Sequence, residues 1–543
     1  MPPSASSRRT SPVSSDGAIA AGFAGARRWP QPVATPPHIR RVTDFAAHLL
    51  IWGATAISVI LFLLNTRHGI GILPDSTRYM GINDHPYDAP LYPYALHIMT
   101  ALGFGMVQGA ELLGLILVVA NTALTAALLL RTTGRWGHAA MGTSLLIALP
   151  PFVTLHATAM SEPLYLLLIL LSLFAFLYYL ETERRLWLVT CGVLVGLCSL
   201  ARFTAPPLGA AIALTLLLSP RHDPQRRWRD VLILSLVSAG IFFAWCIPSQ
   251  IVEGHSIGRE LRFFGNMGRQ QWFNSLRTMA AWVLPDEAPL ALRAGLLVTI
   301  IVAGSILVVR HSRAALALAR EHKVTGDLLP ITLTFFFLFY MAFMLLSTSI
   351  EANLSLNSRY AFPAYVAAAL LLTIVVARTD VRDGLYRRMT GTFGILAAII
   401  LAGHVLRTAV RTEITFRSGY GYSSVAWSHS PTLAWLAALP SSAILYSNGP
   451  DAISYVIGRP AHFTPHHVLL RTGEPDRGNP YPQQIAELRR SLAVPGTYVV
   501  FLDHVDWRFY LAAEPELVRT LNLRLVASEP DGRIYTSQNV RED

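Results

Sequence analysis

Residues Phe45–Leu64 have the sequence FAAHLLIWGATAISVILFLL, which contains no charged side chain. A helix of about 20 residues, rising 1.5 Å per residue, crosses about 30 Å of hydrocarbon. Runs of similar character recur along the chain as far as about residue 408. A strand of a membrane barrel would alternate polar and apolar residues instead. The sequence therefore predicts transmembrane helices.

The composition of the 543-residue chain agrees, since 52% of the residues are hydrophobic and only 14% are charged. A soluble domain usually carries about 25% charged residues. The formal net charge of +11 does not indicate nucleic-acid binding, because the arginines cluster in short connectors between the apolar runs. Such clusters are typical of loops that stay on the cytoplasmic side of a membrane.

The arginine clusters fall on alternate connectors, and this alternation predicts about eleven spans. It also predicts a multi-pass membrane protein with its N-terminus in the cytoplasm and its C-terminal domain extracytoplasmic. The predicted spans are residues 45–64, 106–130, 138–155, 163–181, 186–201, 205–219, 230–248, 291–309, 328–347, 361–377 and 391–408.

Three regions follow from these patterns. Residues 1–42, rich in Ser, Pro, Ala and Arg, are predicted to be a disordered basic cytoplasmic tail. Residues 43–411 form the transmembrane domain, and residues 412–543 a small extracytoplasmic α/β domain. In that domain we expect strands at 443–447 and 497–502, helices at 483–492 and 509–521, and a hairpin of 524–527 with 533–536.

The long first outer loop, about residues 65–105, collects the most distinctive polar residues. A carboxylate beside a low-dielectric wall can act as a general base, which makes Asp75 the candidate base. A wet outer loop would also be polar without any function, so both interpretations stay open. The candidate binding residues in this loop are Tyr79, Asp84, His85 and Tyr92.

Three charged residues in later outer loops are further candidates. Glu162, in Ser161-Glu-Pro, could bind a ligand, but Ser, Glu and Pro also suit the start of a helix. Arg202 and Arg359 break the positive-inside trend. Each guanidinium could bind a phosphate or a carboxylate, although Arg202 could also be a snorkelling anchor.

Several function classes lack their motifs. The chain has no Walker phosphate loop, no dinucleotide fingerprint, no His-Glu-x-x-His and no Gly-x-Ser-x-Gly. An ATP-driven pump is therefore disfavoured. Charged residues are also scarce in the middle of the predicted spans, where a proton or ion path would need them.

The polar motifs together resemble those of the GT-C membrane glycosyltransferases. In particular the chain resembles bacterial proteins of the glycosyltransferase family 39 type, which are similar to protein O-mannosyltransferases and the aminoarabinose transferase of lipid A. The resemblance covers about residues 45–380. It is carried by Asp75 with Tyr79, Pro90-Leu-Tyr92-Pro93, Ser161-Glu-Pro-Leu164, Leu200-Ala-Arg202 and Asn357-Ser-Arg-Tyr360 to Pro363.

This resemblance implies an inverting hexosyl- or pentosyltransferase that uses a polyprenyl-phosphate-linked sugar as donor. The acceptor would be a hydroxyl of a glycan, lipid or protein on the outer side of the membrane. Asp75 would be the general base, and Arg359 with Arg202 would bind the donor phosphate. The implied donor- or acceptor-binding residues are Tyr79, Asp84, His85, Tyr92, Glu162 and Tyr360.

Some relatives with diphosphate donors need a divalent metal. Asp75, Asp84, Asp88 and Glu162 could supply carboxylates to one, but we assign no metal site.

Two other functions remain as alternatives. A flippase or transporter of lipid-linked saccharide would use the same outer arginines without a catalytic base. A non-catalytic assembly protein would use the C-terminal domain as a docking module.

Overall fold

The computed structural model describes residues 44–82, 88–220, 222–253, 268–320, 328–350, 354–379, 384–470 and 472–538. Helices dominate it from Asp44 to Ser418. They are α1 (Asp44–Asn65), α2 (Pro74–Tyr79), α3 (Leu91–Ala101), α4 (Met106–Thr133), α5 (Trp136–Ile147), α6 (Pro150–His156), α7 (Glu162–Thr182), α8 (Arg185–Ala201), α9 (Pro206–Leu218), α10 (Pro224–Glu253), α11 (Arg269–Ala280), α12 (Leu290–Arg320), α13 (Leu329–Ile350), α14 (Ser358–Arg378) and α15 (Gly384–Ser418).

A five-stranded sheet follows, in the order β2-β1-β3-β5-β4. Strand β1 is parallel to β2 and β3, whereas β5 is antiparallel to β3 and β4. The elements of this region are α16 (Val425–Ser428), α17 (Pro431–Ala437), β1 (Ile444–Ser447), α18 (Pro450–Ile457), β2 (His462–Phe463), α19 (Tyr481–Leu492), β3 (Thr497–Leu502), α20 (Glu514–Leu521), β4 (Leu523–Glu529) and β5 (Gly532–Ser537).

The predicted fold class, a helical polytopic membrane protein with a small C-terminal α/β region, is confirmed. Within the described residues, eight helices are long and apolar enough to span a membrane, or up to nine if the bent pair α5–α6 counts as one span. Helices α8 and α9 are apolar but shorter. The count of eleven spans, which needs both short helices, stays a prediction.

The third predicted span is broken. Its two parts, α5 and α6, meet at an angle of 61°. The break falls before Pro150-Pro151, because a proline has no backbone N–H to donate and disfavours helical geometry in the residue before it. Helix α6 then ends near Ala157, where the chain contacts the first outer loop.

In the C-terminal region, the strand at 497–502 and the hairpin of β4 with β5 are confirmed. The predicted helix at 509–521 begins later, at Glu514. Helix α18 and strand β2 were not predicted. The predicted domain boundary at 412 falls inside α15, whose 35 residues make a helix roughly 52 Å long, so this helix is long enough to extend beyond the hydrocarbon.

The first outer loop and the C-terminal region share one apolar core. Ile72, Tyr79 and Tyr92 pack in the same buried cluster as Ile453 and Val500. The backbone is joined as well, since the Tyr422 N–H donates to the Ile72 carbonyl at 2.8 Å. The C-terminal region is therefore fixed against the loop that carries Asp75.

Gly421 makes this junction narrow enough to form. Its φ is +63°, and a Cβ at this position would overlap the carbonyl group of Ile72. We predict that Gly421→Ala destabilises the protein by about 3 kcal/mol, since an overlap is added to the cost of left-handed backbone. Thermal unfolding in detergent would measure this.

Gly458→Ala is the matched control for that substitution. Gly458 has a φ of +68°, but no atom lies within 4 Å of its Cβ position. Gly458→Ala should therefore lower the free energy of unfolding only by the cost of left-handed backbone, about 1 kcal/mol. Equal losses in the two variants would show that the contact with Ile72 contributes nothing to stability.

Candidate active site

Glu162 is the first residue of α7 and is buried, with 1% of its surface exposed. Its Oε1 accepts from Arg202 Nη1 at 2.6 Å and also from Arg359 Nε. The Ser161 hydroxyl makes no helix cap; it accepts from Arg202 Nη1 at 3.3 Å. Helix initiation alone therefore does not account for this motif, because both polar side chains bind Arg202.

Asp75 lies in the first turn of α2, directly after Pro74. One carboxylate oxygen accepts from Arg359 Nη1, and the other accepts from Arg78 Nη2 at 2.6 Å. Arg78 also donates through Nε to Asp88 at 2.7 Å. Asp75 is thus held between two guanidinium groups that come from different parts of the chain.

The end of α8 and the start of α14 bring two distant arginines to Glu162 at the start of α7. Arg202 is the residue at which α8 ends, in extended backbone. Arg359 is in the first turn of α14, where the Asn357 side chain accepts from the backbone N–H groups of Arg359 and Tyr360 at 3.1 and 3.0 Å. The Asn-x-Arg-Tyr sequence thereby combines a helix cap with a guanidinium and a ring that face the site.

Tyrosine rings surround the arginines. The guanidinium carbons of Arg202 and Arg359 lie 5.6 and 5.7 Å from the Tyr360 ring centroid. The Tyr79 hydroxyl lies 3.4 Å from Ser161 Oγ. The Tyr79 ring contacts the Tyr92 ring edge-on, with 5.4 Å between the ring centroids. Tyr92 is 1% exposed, so it packs behind Tyr79 and does not open to solvent.

The electrostatics of Asp75 reflect this environment. Burial raises the pKa of its carboxyl group, but Arg359 and Arg78 together lower it by more. The net pKa of Asp75 therefore lies well below the usual range of an aspartic acid. In this arrangement Asp75 is fully ionised and weakly basic.

The charges of the cluster balance. The described residues contain a continuous chain of three carboxylates (Asp88, Asp75, Glu162) alternating with three guanidinium groups (Arg78, Arg359, Arg202). Glu162 Oε2 is buried and has no hydrogen-bond partner among the described residues. That oxygen is available to accept from a ligand hydroxyl.

The described residues of the site are not arranged to hold a divalent metal. Among the described ranges, no group of three or more His, Cys, Asp or Glu side chains could hold a metal ion. The carboxylates of Asp75, Asp88 and Glu162 are each bound by arginine. Asp84 and His85, which were also predicted to bind donor or acceptor, lie outside the described residues.

Sequence reasoning brought out Asp75, Glu162, Arg202 and Arg359 but gave no role to Arg78. The available signal was the spacing of three residues between Asp75 and Arg78, which places both on one helix face. Sequence reasoning also missed Tyr340, whose hydroxyl donates to the Tyr360 carbonyl at 3.0 Å. That contact joins residues of α13 and α14, and nothing in the local sequence indicates it.

The chain folds into a polytopic helical bundle with its charged site at helix ends, and a small α/β region packs against that bundle's first long loop. The structure is similar to that of ArnT from Cupriavidus metallidurans in the apo state, with a TM-score of 0.56 and 13% identity over 90% of this chain and 98% of that chain. It is similar to the same protein bound to undecaprenyl phosphate, with a TM-score of 0.55, 13% identity and the same coverage.

A family model described as dolichyl-phosphate-mannose-protein mannosyltransferase matches residues 84–251. The matched segment contains Glu162 and Arg202, whereas Asp75 and Arg359 lie outside it. A search of curated proteins finds no significant match.

Glu162→Gln tests the buried part of the cluster. Without the carboxylate, the buried Arg202 loses its ion-pair partner and Arg359 keeps only Asp75. We predict a loss of about 3 kcal/mol, as for other broken buried pairs, measured as a lower unfolding temperature in detergent. Glu413→Gln, which removes an exposed pair with Arg417, should cost less than about 1 kcal/mol. An unchanged unfolding temperature in Glu162→Gln would contradict the ion-pair arrangement.

Proposed function

We propose that the protein is an inverting glycosyltransferase that moves a sugar from a polyprenyl-phosphate donor to a hydroxyl acceptor at the outer side of the membrane. The observation that carries this proposal is the chain of ion pairs that joins Asp75, Arg359, Glu162 and Arg202. It places a carboxylate next to guanidinium groups that can bind a phosphate. A transferase of this type needs both groups within one site.

The comparisons support the class of donor. One similar structure is described as bound to undecaprenyl phosphate. The matching family model is named for dolichyl-phosphate mannose. Undecaprenyl phosphate carries no sugar and dolichyl-phosphate mannose carries one. Both are anions attached to a long apolar chain. An anion beside α14 and α8 would meet Arg359 and Arg202 at the ends of apolar helices.

The reaction follows from these positions. The Asp75 carboxylate takes the proton of the acceptor hydroxyl, and the hydroxyl oxygen forms a bond to the anomeric carbon. The bond between that carbon and the phosphate oxygen breaks, and its electron pair stays on the phosphate. The donor phosphodiester thereby becomes a phosphate monoester with one more negative charge, which Arg359 and Arg202 stabilise. Attack opposite the leaving phosphate inverts the anomeric configuration.

Donor binding would also activate the base. In the structure Arg359 donates to Glu162 through Nε and to Asp75 through Nη1, so a phosphate that binds at either nitrogen would compete with one of these carboxylates. If it replaces Asp75, that carboxylate loses the cation that lowers its pKa most. The pKa of Asp75 would then rise, and Asp75 would become a stronger base once the donor is bound.

Other residues would bind the sugar and the acceptor. The unpartnered Oε2 of Glu162 can accept from a sugar hydroxyl, and Tyr79 and Tyr360 contact Ser161 and Arg359 next to it. We place this site on the extracytoplasmic side of a bacterial inner membrane, with the N-terminus in the cytoplasm, because the arginine-rich connectors lie at the other helix ends.

Asp75→Asn is the first test of catalysis. We predict that it reduces transfer at least about 10³-fold, because the amide cannot accept the proton, while binding of the lipid donor persists. The assay uses protein in nanodiscs, a panel of radiolabelled undecaprenyl-phosphate sugars, and a membrane extract as acceptor. Asp223→Asn, which changes an exposed aspartate before α10, should transfer at the wild-type rate.

The same assay separates the alternatives. Transfer by the wild type together with loss in Asp75→Asn supports the transferase. If the wild type binds the lipid donor but never transfers label, the function is transport of lipid-linked saccharide. If it neither binds nor transfers, the assembly role gains support.

Arg359→Lys tests phosphate binding. A lysine keeps the positive charge but loses the two-pronged geometry that bonds two oxygens at once. We predict a rise of about 10-fold or more in the donor KM, and an even larger loss of affinity for undecaprenyl phosphate, because the sugar-free product carries more charge. Arg417→Lys, on the exposed end of α15, is the control. An unchanged donor KM would exclude Arg359 from phosphate binding.

A further inference from the structure

The loop between β3 and α20, residues 503–513, lies beside the candidate active site. Its Val505 is buried in the same apolar cluster as Tyr79 and Met80. The neighbouring helix α18 packs directly on α2, the helix that carries Asp75. Burial raises the pKa of Tyr510 in this loop, and the charges of Arg508 and Arg78 lower it in part. The loop therefore lies near α2, the helix that carries both Asp75 and Arg78.

Three aromatic rings are exposed at this place. Trp507 is 45% exposed and Phe509 is 67% exposed, and both belong to the loop. Phe463, on the edge strand β2, is 37% exposed. We call Phe463 and Trp507, whose rings both lie against the Arg508 guanidinium, the aromatic platform. Large exposed rings grouped on a folded surface typically mark a binding site.

A buried arginine fixes the platform from below. The guanidinium carbon of Arg508 lies 4.5 Å from the Trp507 ring centroid and 4.9 Å from that of Phe463. Arg508 donates to both oxygens of Asp451, at 2.8 and 2.7 Å, and to the Asn448 carbonyl at 2.7 Å. Two rings are thus held on a guanidinium that cannot turn away, because the carboxylate of α18 binds it on two oxygens.

The chemistry of the platform favours a saccharide. The C–H face of a sugar ring is apolar and packs on aromatic faces, while its hydroxyls bind polar groups nearby. The charge of Arg508 is neutralised by Asp451, so the platform offers no free cation to an anion. Asp506 is exposed next to Trp507. A negative side chain there opposes contact with an anionic membrane surface.

We propose that the aromatic platform binds a saccharide part of the acceptor and holds its reacting hydroxyl toward Asp75. This inference rests on the proposed glycosyltransferase function and specifies its acceptor as a glycan or glycolipid. Trp507 and Phe463 contact the sugar, and the Arg508–Asp451 pair keeps the rings in place. The C-terminal region thereby selects the acceptor, while the helical region binds the donor.

Trp507→Ala tests this in the transfer assay. With donor at saturation and the membrane extract as varied acceptor, we expect an increase of about 10-fold in the acceptor concentration for half-maximal rate, with the donor KM and the unfolding temperature unchanged. Trp507→Phe keeps a ring and should recover most of the affinity. Leu525→Ala removes an exposed apolar side chain (49% exposed) on β4, the opposite edge of the sheet, and should have no effect.

A binding experiment is independent of catalysis. Oligosaccharides released from the membrane extract by mild acid are mixed with the Asp75→Asn protein in nanodiscs and observed by saturation-transfer difference NMR. We expect a signal that Trp507→Ala, added to Asp75→Asn, removes. No signal in the Asp75→Asn protein, or an equal signal in both proteins, overturns the proposal.

Quenching of tryptophan fluorescence by brominated lipid tests whether the platform contacts the bilayer instead of a saccharide. If Trp507 contacts the bilayer, quenching decreases in Trp507→Phe, and the platform is a membrane anchor. This outcome overturns the saccharide proposal. Failure of the proposed transferase function gives a different result from failure of the saccharide proposal. In that case the wild type would transfer no sugar, even if the NMR signal is present. Normal acceptor kinetics in Trp507→Ala would instead reject the platform and leave the transferase intact.

Discussion

Arg359 donates to Asp75 and to Glu162 at once, and the geometry of the site depends on this bridge. Asp75 belongs to a loop between two spans, whereas Glu162 and Arg359 begin helices that are far apart in sequence. Each carboxylate also binds a second arginine, Arg78 for Asp75 and Arg202 for Glu162, but Arg359 is the group that links the two carboxylates to each other. The bridge thus fixes the first outer loop to the helical bundle.

The C-terminal region supports the same loop from the opposite side. Its backbone pairs with Ile72 through Tyr422, and its apolar residues complete the cluster around Tyr79. Asp451, through its ion pair with Arg508 and its hydrogen bond from Tyr422, fixes α18 to the 503–513 loop and to the segment that pairs with Ile72. Removing the whole region would expose this core, so single substitutions report on its role more directly than a deletion does.

The sequence predicted much of this arrangement, for identifiable physical reasons. Long apolar runs specify helices wherever hydrocarbon is the solvent, so most helix positions were predictable. The turn Asp531-Gly532 separately predicted the hairpin, because this dipeptide favours a tight β-turn. Arg202 and Arg359 stood out because they break a charge trend. Their convergence on Glu162 was not predictable from spacing, since it depends on packing between distant helices. The roles of Tyr340 and the platform ring Phe463 are likewise visible only in three dimensions, whereas the spacing of Arg78 from Asp75 was a signal in the sequence.

The charge balance of the cluster bears on the order of events in the proposed reaction. With three guanidinium groups and three carboxylates, the empty site is neutral, and a phosphodiester donor brings it to one negative charge. During transfer the proton moves from the acceptor to Asp75 while the phosphate gains a charge, so the total stays constant. When Asp75 later loses its proton to water, the site and the bound phosphate monoester together carry a net charge of −2. Repulsion between Asp75 and that phosphate, with Arg359 returning to its carboxylate, then favours release of the lipid product.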